Sequence, residues 1–280
     1  MVRNRAFVMG HPIAQSRSPM MHGYWLQQCG IEGSYERVDV PEAGVAEFFS
    51  GFRENGWIGG NVTAPDKLAV IPYLDRLDEV ATMMGSVNTI YWENGELVGG
   101  NTDATGFLGN LDELAPDWQK RVRRALVLGA GGAARAAAYG LKTRGIAVSI
   151  VNRTQSKAQE IAAHFGGMTA HSNEDAASLM AQSDLLVNAT SLGMLGKEAL
   201  EVDLSALKAG AIVNDLIYVP LETEILRQAR ERGHETVNGL GMLLHQGVDG
   251  FRRWFGKTPV VTDELRTLII NDIREKTPGA

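Results

Sequence analysis

Cysteine is almost absent. Cys29 is the only one in 280 residues, which excludes a disulfide framework and any thiolate metal site. The six histidines show no HExxH-type spacing, so no metal is expected. No run approaches the roughly eighteen apolar residues of a membrane span, and the basic residues of Met1 to Phe7 precede no apolar core of signal-peptide length. The expectation is a soluble, cytoplasmic chain without a membrane partner. Basic charge is not in excess either: 27 Lys and Arg stand against 33 Asp and Glu, a net charge of −6. The mild basic cluster Lys120–Arg124 is too short to track a nucleic-acid backbone. Internal repeats, low-complexity tracts and long linkers are also missing, and Lys276–Ala280 reads as a frayed tail.

What is present is apolar material, 44% of the chain, enough for the cores of two domains. The most informative stretch is A-L-V-L-G-A-G-G-A-A-R from Ala125 to Arg135, a buried-strand run that enters a glycine cluster. Gly129, Gly131 and Ala134 occupy the G-x-G-x-x-G/A positions. The first allows the tight turn, the second lets backbone approach a pyrophosphate, and the small third residue lets helix pack on strand. The helix after them aims unpaired N–H groups and a positive dipole end at the phosphates. About twenty residues on, the apolar run Val148–Val151 ends in Asn152-Arg153-Thr154. An acidic residue there would accept from the ribose of NAD; an arginine accommodates the 2′-phosphate of NADP. Arg153 and the lack of a carboxylate favour NADP.

Alternation of strand and helix predicts α/β structure throughout. Arg5–Met9 is a strand, followed by a loop to a helix in which Ser18 is the N-cap, Pro19 the first helical residue and Gly30 the stop, with Met21, Tyr24, Trp25 and Gln28 on one face. Strands are expected at 33–40 and 57–62, with a helix over 42–53 that turns Val45, Phe48, Phe49 and Phe52 inward. Thr63-Ala-Pro-Asp-Lys67 reads as a helix start at a strand end, where ligands of open α/β sheets bind. Asn94-Gly95 joins two strands within 88–98 as a hairpin turn. After N-T-D at 101–103, a connecting helix over 105–114 marks a domain boundary. The second half reads as strand 125–129, helix 132–143, strand 147–151, helix 155–165 and strands 184–188 and 212–216, a doubly wound nucleotide-binding domain. Gly239-Leu-Gly-Met then leads into a helix with Leu244, Val248, Phe251 and Phe255 at 3.6-residue spacing.

In chain order, S-R-S-P (16–19), N-V-T-A-P-D-K (61–67), S-V-N-T (86–89), N-T-D (101–103), G-A-G-G-A-A-R (129–135), N-R-T (152–154), N-A-T-S-L-G-M (188–194) and G-L-G-M-L-L-H-Q (239–246) resemble the shikimate dehydrogenase family. The resemblance implies an N-terminal α/β substrate domain (1–103), a Rossmann NADP-binding domain (104–240) and C-terminal helices (241–280) that return to the first domain, with the active-site cleft between the two. It implies reversible NADP-dependent reduction of 3-dehydroshikimate to shikimate on the way to aromatic amino acids. Carried over, it places Ser16 and Ser18 on the substrate carboxylate and Thr63, Asn88, Tyr218 and Gln246 around the ring, with Lys67 and Asp103 as the catalytic pair. On the cofactor side it points to Gly129, Ala130, Gly131, Gly132, Ala133, Asn152, Arg153, Thr154, Thr190, Leu216, Gly239 and Met242, with a looser role for Glu79. No metal is implied, and the chain would be a monomer or homodimer.

Hydride delivery to a ketone makes an alkoxide, so the site needs a proton donor. A carboxylate beside a lysine favours the ammonium, the form that gives up a proton. The chain departs from the family at Asp66, where histidine or tyrosine is common, at Ala104, where glycine is common, and at the variable Val219; Asp66, if turned inward, would strengthen the lysine's hold on its proton. Two alternatives stay open: a quinate/shikimate dehydrogenase that uses quinate or NAD, and a catalytically idle NADP-binding regulatory homologue.

Overall fold

The computed structural model describes residues 4–277; the first three residues of the basic N-terminus and the last three of the expected tail lie outside them. The chain divides into two compact units, Met1–Thr102 with Gln246–Ile269, and Asp103–His245 with Ile270–Ala280.

The first unit is built from β1 (Arg5–Gly10), α1 (Ser18–Cys29), β2 (Ser34–Asp39), α2 (Val45–Ser50), β3 (Trp57–Val62), β4 (Arg76–Leu77), α3 (Glu79–Met84), β5 (Thr89–Glu93) and β6 (Glu96–Gly100). Its sheet runs β2-β1-β3-β5-β6-β4, and β1 is parallel to both neighbours while β5 is antiparallel to β3 and β6. The unbroken apolar run of β1 reflects burial on both faces. Phe7 and Met9 enter one core with Phe52, Trp57 and Ile90, whereas Ala6 and Val8 enter the other with Tyr35, Tyr91 and Trp254. The β5–β6 turn has Asn94 and Gly95 at φ 53° and 85°, as the hairpin reading requires.

The second unit contains α4 (Asp103–Leu114), α5 (Trp118–Arg121), β7 (Arg124–Leu128), α6 (Gly132–Thr143), β8 (Ala147–Val151), α7 (Gln155–Phe165), β9 (Thr169–His171), α8 (Ala176–Met180), β10 (Leu185–Asn188), β11 (Ile212–Asp215), α9 (Glu224–Glu231) and β12 (Glu235–Val237). Its six strands lie in the order β12-β11-β10-β7-β8-β9, and every pairing is parallel. Counted from β7, this is the doubly wound dinucleotide-binding order, whose switch point falls between β7 and β10. Ala125, Leu126, Val127 and Leu128 of β7 are all buried, as a central parallel strand demands. α10 (Leu240–Phe255) and α11 (Asp263–Lys276) complete the chain.

Several local expectations are corrected. Ser18 is not the N-cap: Arg17 holds that position without a side-chain cap, and the Ser18 N–H donates to Ser16 Oγ at 3.4 Å. The buried face of α1 includes His22 and Leu26, while Gln28 is exposed. The helix expected over 42–53 is a short 3₁₀ turn, Glu42–Gly44, followed by α2. α4 begins at Asp103, where a carboxylate in the first turn suits the helix dipole. No helix starts in Thr63–Lys67: residues 64–70 form turns. The Lys67 carbonyl accepts from Val87 N at 2.9 Å, while Ile71 N donates to Leu68 O at 3.2 Å, so the i to i+4 ladder does not propagate. Lys276, expected in the tail, ends α11, and Thr277 N donates to Ile273 O at 3.0 Å.

His22 lies wholly inside the first unit. Its ring stacks on Tyr35 at 4.0 Å between centroids and 15° between planes, and Trp25, Phe251 and Trp254 surround it. Neither ring nitrogen has a hydrogen-bond partner among the described residues. Burial pushes the imidazole down to about 3, opposed by the Asn61 side chain.

Candidate functional site

Strand register gathers the substrate-side candidates of the first unit at one end of its sheet. Met9 pairs with Val62, Asn61 with Thr89, and Thr89 with Gly100. The ends of β1, β3 and β6 and the start of β5 therefore share an edge. The loop carrying Ser16 and Ser18 leaves β1 there, Thr63 follows β3, Asn88 precedes β5, and Asn101-Thr102 follows β6. The backbone bond from Val87 N to Lys67 O fixes Lys67 next to Asn88.

Asn88 is almost fully buried. Its Oδ1 accepts from Thr102 N at 2.9 Å and Thr89 Oγ1 at 2.8 Å, and its Nδ2 donates to Thr102 Oγ1 at 3.0 Å. Behind it Asn61 Nδ2 donates to Asn88 O at 3.0 Å and to Thr89 Oγ1 at 3.2 Å, while Tyr35 Oη donates to Asn61 Oδ1 at 2.6 Å. The loop after β1 is held from β2, where Arg37 Nε donates to Ser16 O at 2.9 Å. Lys67, Ser16, Ser18, Thr63 and Gln246 are all partly exposed. Gln246 is on α10 and belongs to this unit; Asp103 and Tyr218 belong to the second.

Asp66 is turned fully inward, and neither of its oxygens has a partner among the described residues. Burial pushes its carboxyl up; Glu42 adds to this and His11 opposes it. Ala104 is buried in the first turn of α4, and Val219 O accepts from Leu195 N at 3.0 Å.

In the second unit the glycine fingerprint has the expected form. Gly129 leaves β7 at φ +108°, a conformation L side chains rarely adopt, and its N–H donates to Val151 O at 2.8 Å. Gly131 is at the N-cap of α6 and Ala134 is fully buried against the sheet. A Cβ on Gly131 or Gly132 would meet no protein atom within 4 Å. The space over this helix start is open, and its first-turn N–H groups have no intrahelical acceptors. Residues 129–133 therefore fit a pyrophosphate. Asn152 Nδ2 donates to Thr154 O at 2.9 Å, a turn that leads into α7. Arg153 and Thr154 are exposed at that helix start. Lys157, in the first turn of α7 and also exposed, is a second cation that the sequence reading passed over; its position three residues after Thr154 was the available signal.

The remaining cofactor candidates divide by unit. The Thr190 hydroxyl donates to Asn188 Oδ1 at 2.8 Å and accepts from Leu192 N at 3.1 Å, and its methyl lies beside Gly129, whose Cβ would meet it at 3.1 Å. Gly239 is required by packing: a Cβ there would lie 2.1 Å from Leu216 O. Met242 is half-buried in the first turn of α10. Glu79 alone stands apart, exposed at the start of α3 in the first unit, whereas every other cofactor candidate is in the second. Among the described residues no helix is long and apolar enough to cross a membrane.

Known proteins resemble this chain along nearly its whole length. Residues 8–90 match the model of the shikimate dehydrogenase substrate binding domain, 113–216 that of shikimate / quinate 5-dehydrogenase, and 239–261 that of the shikimate 5′-dehydrogenase C-terminal domain. A shikimate dehydrogenase (NADP(+)) of Mesorhizobium japonicum is 52% identical over 274 residues, covering 97% of this chain and 98% of that protein. Among solved structures, the shikimate 5-dehydrogenase of Thermus thermophilus in complex with NADP(H) and shikimate has a TM-score of 0.84 at 35% identity, covering 98% of this chain and 99% of that one. The quinate dehydrogenase of Corynebacterium glutamicum in complex with NAD has a TM-score of 0.85 at 31% identity, covering 95% and 98%.

Proposed function

The chain belongs to the shikimate dehydrogenase family and is an NADP-dependent oxidoreductase, and from that premise we propose that it reduces 3-dehydroshikimate to shikimate reversibly, with Lys67 as acid and base and Asp103 as its partner. The observation that carries this reading is the convergence of Thr63, Lys67 and Asn88 at one sheet end of a unit whose chain continues into a doubly wound dinucleotide-binding fold.

When bound, NADPH supplies the hydride. Ser16 and Ser18 donate hydrogen bonds to the substrate carboxylate, and Arg37 holds the Ser16 carbonyl so that this loop is preset. Thr63, Asn88, Tyr218 and Gln246 orient the ring. As the carbonyl carbon gains hydride, Lys67 gives its proton to the carbonyl oxygen, with Asp103 as its partner. In the oxidative direction neutral Lys67 takes the hydroxyl proton. Residues 129–133 receive the pyrophosphate, and Arg153, with Lys157, faces the 2′-phosphate.

The test is the appearance of reduced-nicotinamide absorbance with shikimate and with quinate, each offered NADP and then NAD. Turnover confined to shikimate with NADP is expected. Turnover on quinate or with NAD moves the chain to the broader branch, and silence in all four overturns the reading in favour of an idle binding protein. A second expectation concerns the cofactor alone. A hydrogen bond to a charged group is worth roughly 1.5–3 kcal/mol, so Arg153→Ala raises KM for NADP by about ten- to a hundredfold and leaves any use of NAD unchanged. Equal loss with both cofactors would make Arg153 structural.

A further inference from the structure

Asp215, the last residue of β11, is wholly buried. Its Oδ1 accepts from Asn188 Nδ2 and from Ile217 N, both at 3.0 Å, and its Oδ2 accepts from Thr223 Oγ1 at 2.6 Å. The sequence offered no reason to single it out, and nothing in the proton-transfer scheme uses it. Yet a buried carboxylate is costly: burial pushes this one up, against the pull of Thr223, Ile217 and Asn188. Elsewhere in the same sheet, β7 and β8 end without such a cost on Leu128 and Val151, both buried and apolar. Two N–H donors converge on Oδ1, and the Thr223 hydroxyl, which can donate or accept, donates to Oδ2.

Donor and acceptor accounting shows what the carboxylate holds. Asn188 Oδ1 is committed to Thr190 N at 3.0 Å and Thr190 Oγ1 at 2.8 Å, so the Asn188 amide nitrogen must face Asp215 and Leu192 O. That direction fixes the Thr190 hydroxyl, which donates to Asn188 and receives Leu192 N. On the other side, Ile217 N is held by Asp215 while Ile217 O accepts from Gly239 N at 2.9 Å. Residue Ile217 is thereby held at both its backbone N–H and its carbonyl. Leu195 N donates to Val219 O at 3.0 Å and links the two loops directly.

We propose that Asp215 is a positioning residue for the cofactor: its side chain sets the loop after β10 and the turn after β11, and so places Thr190, Leu216 and Gly239 for NADP. The proposal rests on the NADP-dependent reading above, and it concerns binding rather than the chemical step.

The test is calorimetric titration of NADP into the wild type, Asp215→Ala and Asp215→Asn, well below each protein's melting temperature. Asp215→Ala leaves the Asn188 amide and the Ile217 N–H without an acceptor, and its Kd for NADP rises about tenfold or more. Asp215→Asn places its amide oxygen at Oδ1 and its NH2 against the Thr223 oxygen, so every bond is kept; its Kd stays within about threefold of the wild type. This rescue is what a general loss of stability would not produce. Wild-type affinity in Asp215→Ala overturns the proposal, as does equal weakening in both variants, which would make charge rather than placement the cause. Should Asp215→Ala not fold, Thr223→Val keeps the shape, removes only the hydroxyl that steadies Oδ2, and is expected to weaken NADP about threefold or more; unchanged affinity there is equally fatal. A wild type that fails to bind NADP overturns the cofactor reading first, whereas a binding wild type with unaffected variants overturns this proposal alone.

Discussion

Lys67→Ala lowers turnover by about a hundred- to ten-thousandfold, the usual contribution of a general acid–base group, while shikimate still binds. The structure gives a reason to expect the loss in chemistry rather than in folding. Lys67 is held by its backbone, through the bond from Val87 N to Lys67 O at 2.9 Å, and truncation beyond Cβ leaves that bond in place. The neighbouring turn is likewise held by backbone bonds, from Asp66 N to Thr63 O at 3.0 Å and from Val70 N to Asp66 O at 3.2 Å. Steady-state kinetics with an equilibrium binding measurement on shikimate separates the two quantities. A variant with near-wild-type turnover removes Lys67 from the reaction. The direction of the wild-type pH profile is a companion check: a lysine must be neutral to take a proton, so shikimate oxidation gains rate toward alkaline pH while reduction does not. A flat oxidation profile would count against lysine as the base.

The second large effect is acid lability built around His22. In the folded chain burial holds its imidazole down at about 3, whereas an unfolded histidine titrates near ~6.5. Above the unfolded value both states are neutral and the residue contributes nothing to the pH dependence. As pH falls below that value the unfolded chain takes up a proton that the folded chain refuses. Stability is therefore present above the unfolded value and is lost at about 1.4 kcal/mol per pH unit on the way down to the folded one. Between pH 7 and pH 5 this amounts to about 2 kcal/mol. His22→Phe keeps an aromatic ring against Tyr35, Trp25, Phe251 and Trp254 and removes the titrating group. Urea unfolding followed by tryptophan fluorescence suits the measurement, because Trp25, Trp57, Trp92 and Trp254 all lie in the unit that holds His22. The wild type is expected to lose about 2 kcal/mol more than the variant between those pH values. Equal losses would show that His22 reaches a proton-accepting partner in the folded state.

The two halves of the chain differ in how much of them could be read in advance. In the second unit the helices Gly132–Thr143 and Gln155–Phe165 and the strand Ala147–Val151 agree with the sequence reading to the residue. Central parallel strands are buried on both faces, so they appear as uninterrupted apolar runs, and glycines punctuate the turns. In the first unit the same alternation located β3 and the β5–β6 hairpin, but it took residues 63–67 for the start of a helix. That misreading has a specific cause: the acceptor for Val87 N is the Lys67 carbonyl, twenty positions earlier in the chain, and no local propensity reports a bond of that span. Asn61 and Tyr35 were missed for a related reason. Each looks like an ordinary polar or aromatic strand residue until β2, β1, β3 and β5 are assembled in that order.

By itself the sequence determined the α/β class, the dinucleotide turn at Gly129–Ala134, NADP as the cofactor, and the ordered set of motifs that identifies the family. These are local statements: short-range periodicity, glycine where φ must be positive, charge at a strand end. Only the tertiary structure decided that His22 is sealed in an aromatic core, that Asn88 is tied to Thr102, and that Asp215 reaches Asn188, Ile217 and Thr223 at once. Those facts depend on desolvation and on donors and acceptors brought together from distant segments. A polar residue's partners are set by which strands become neighbours, and that pairing is a property of the folded sheet rather than of any stretch of chain.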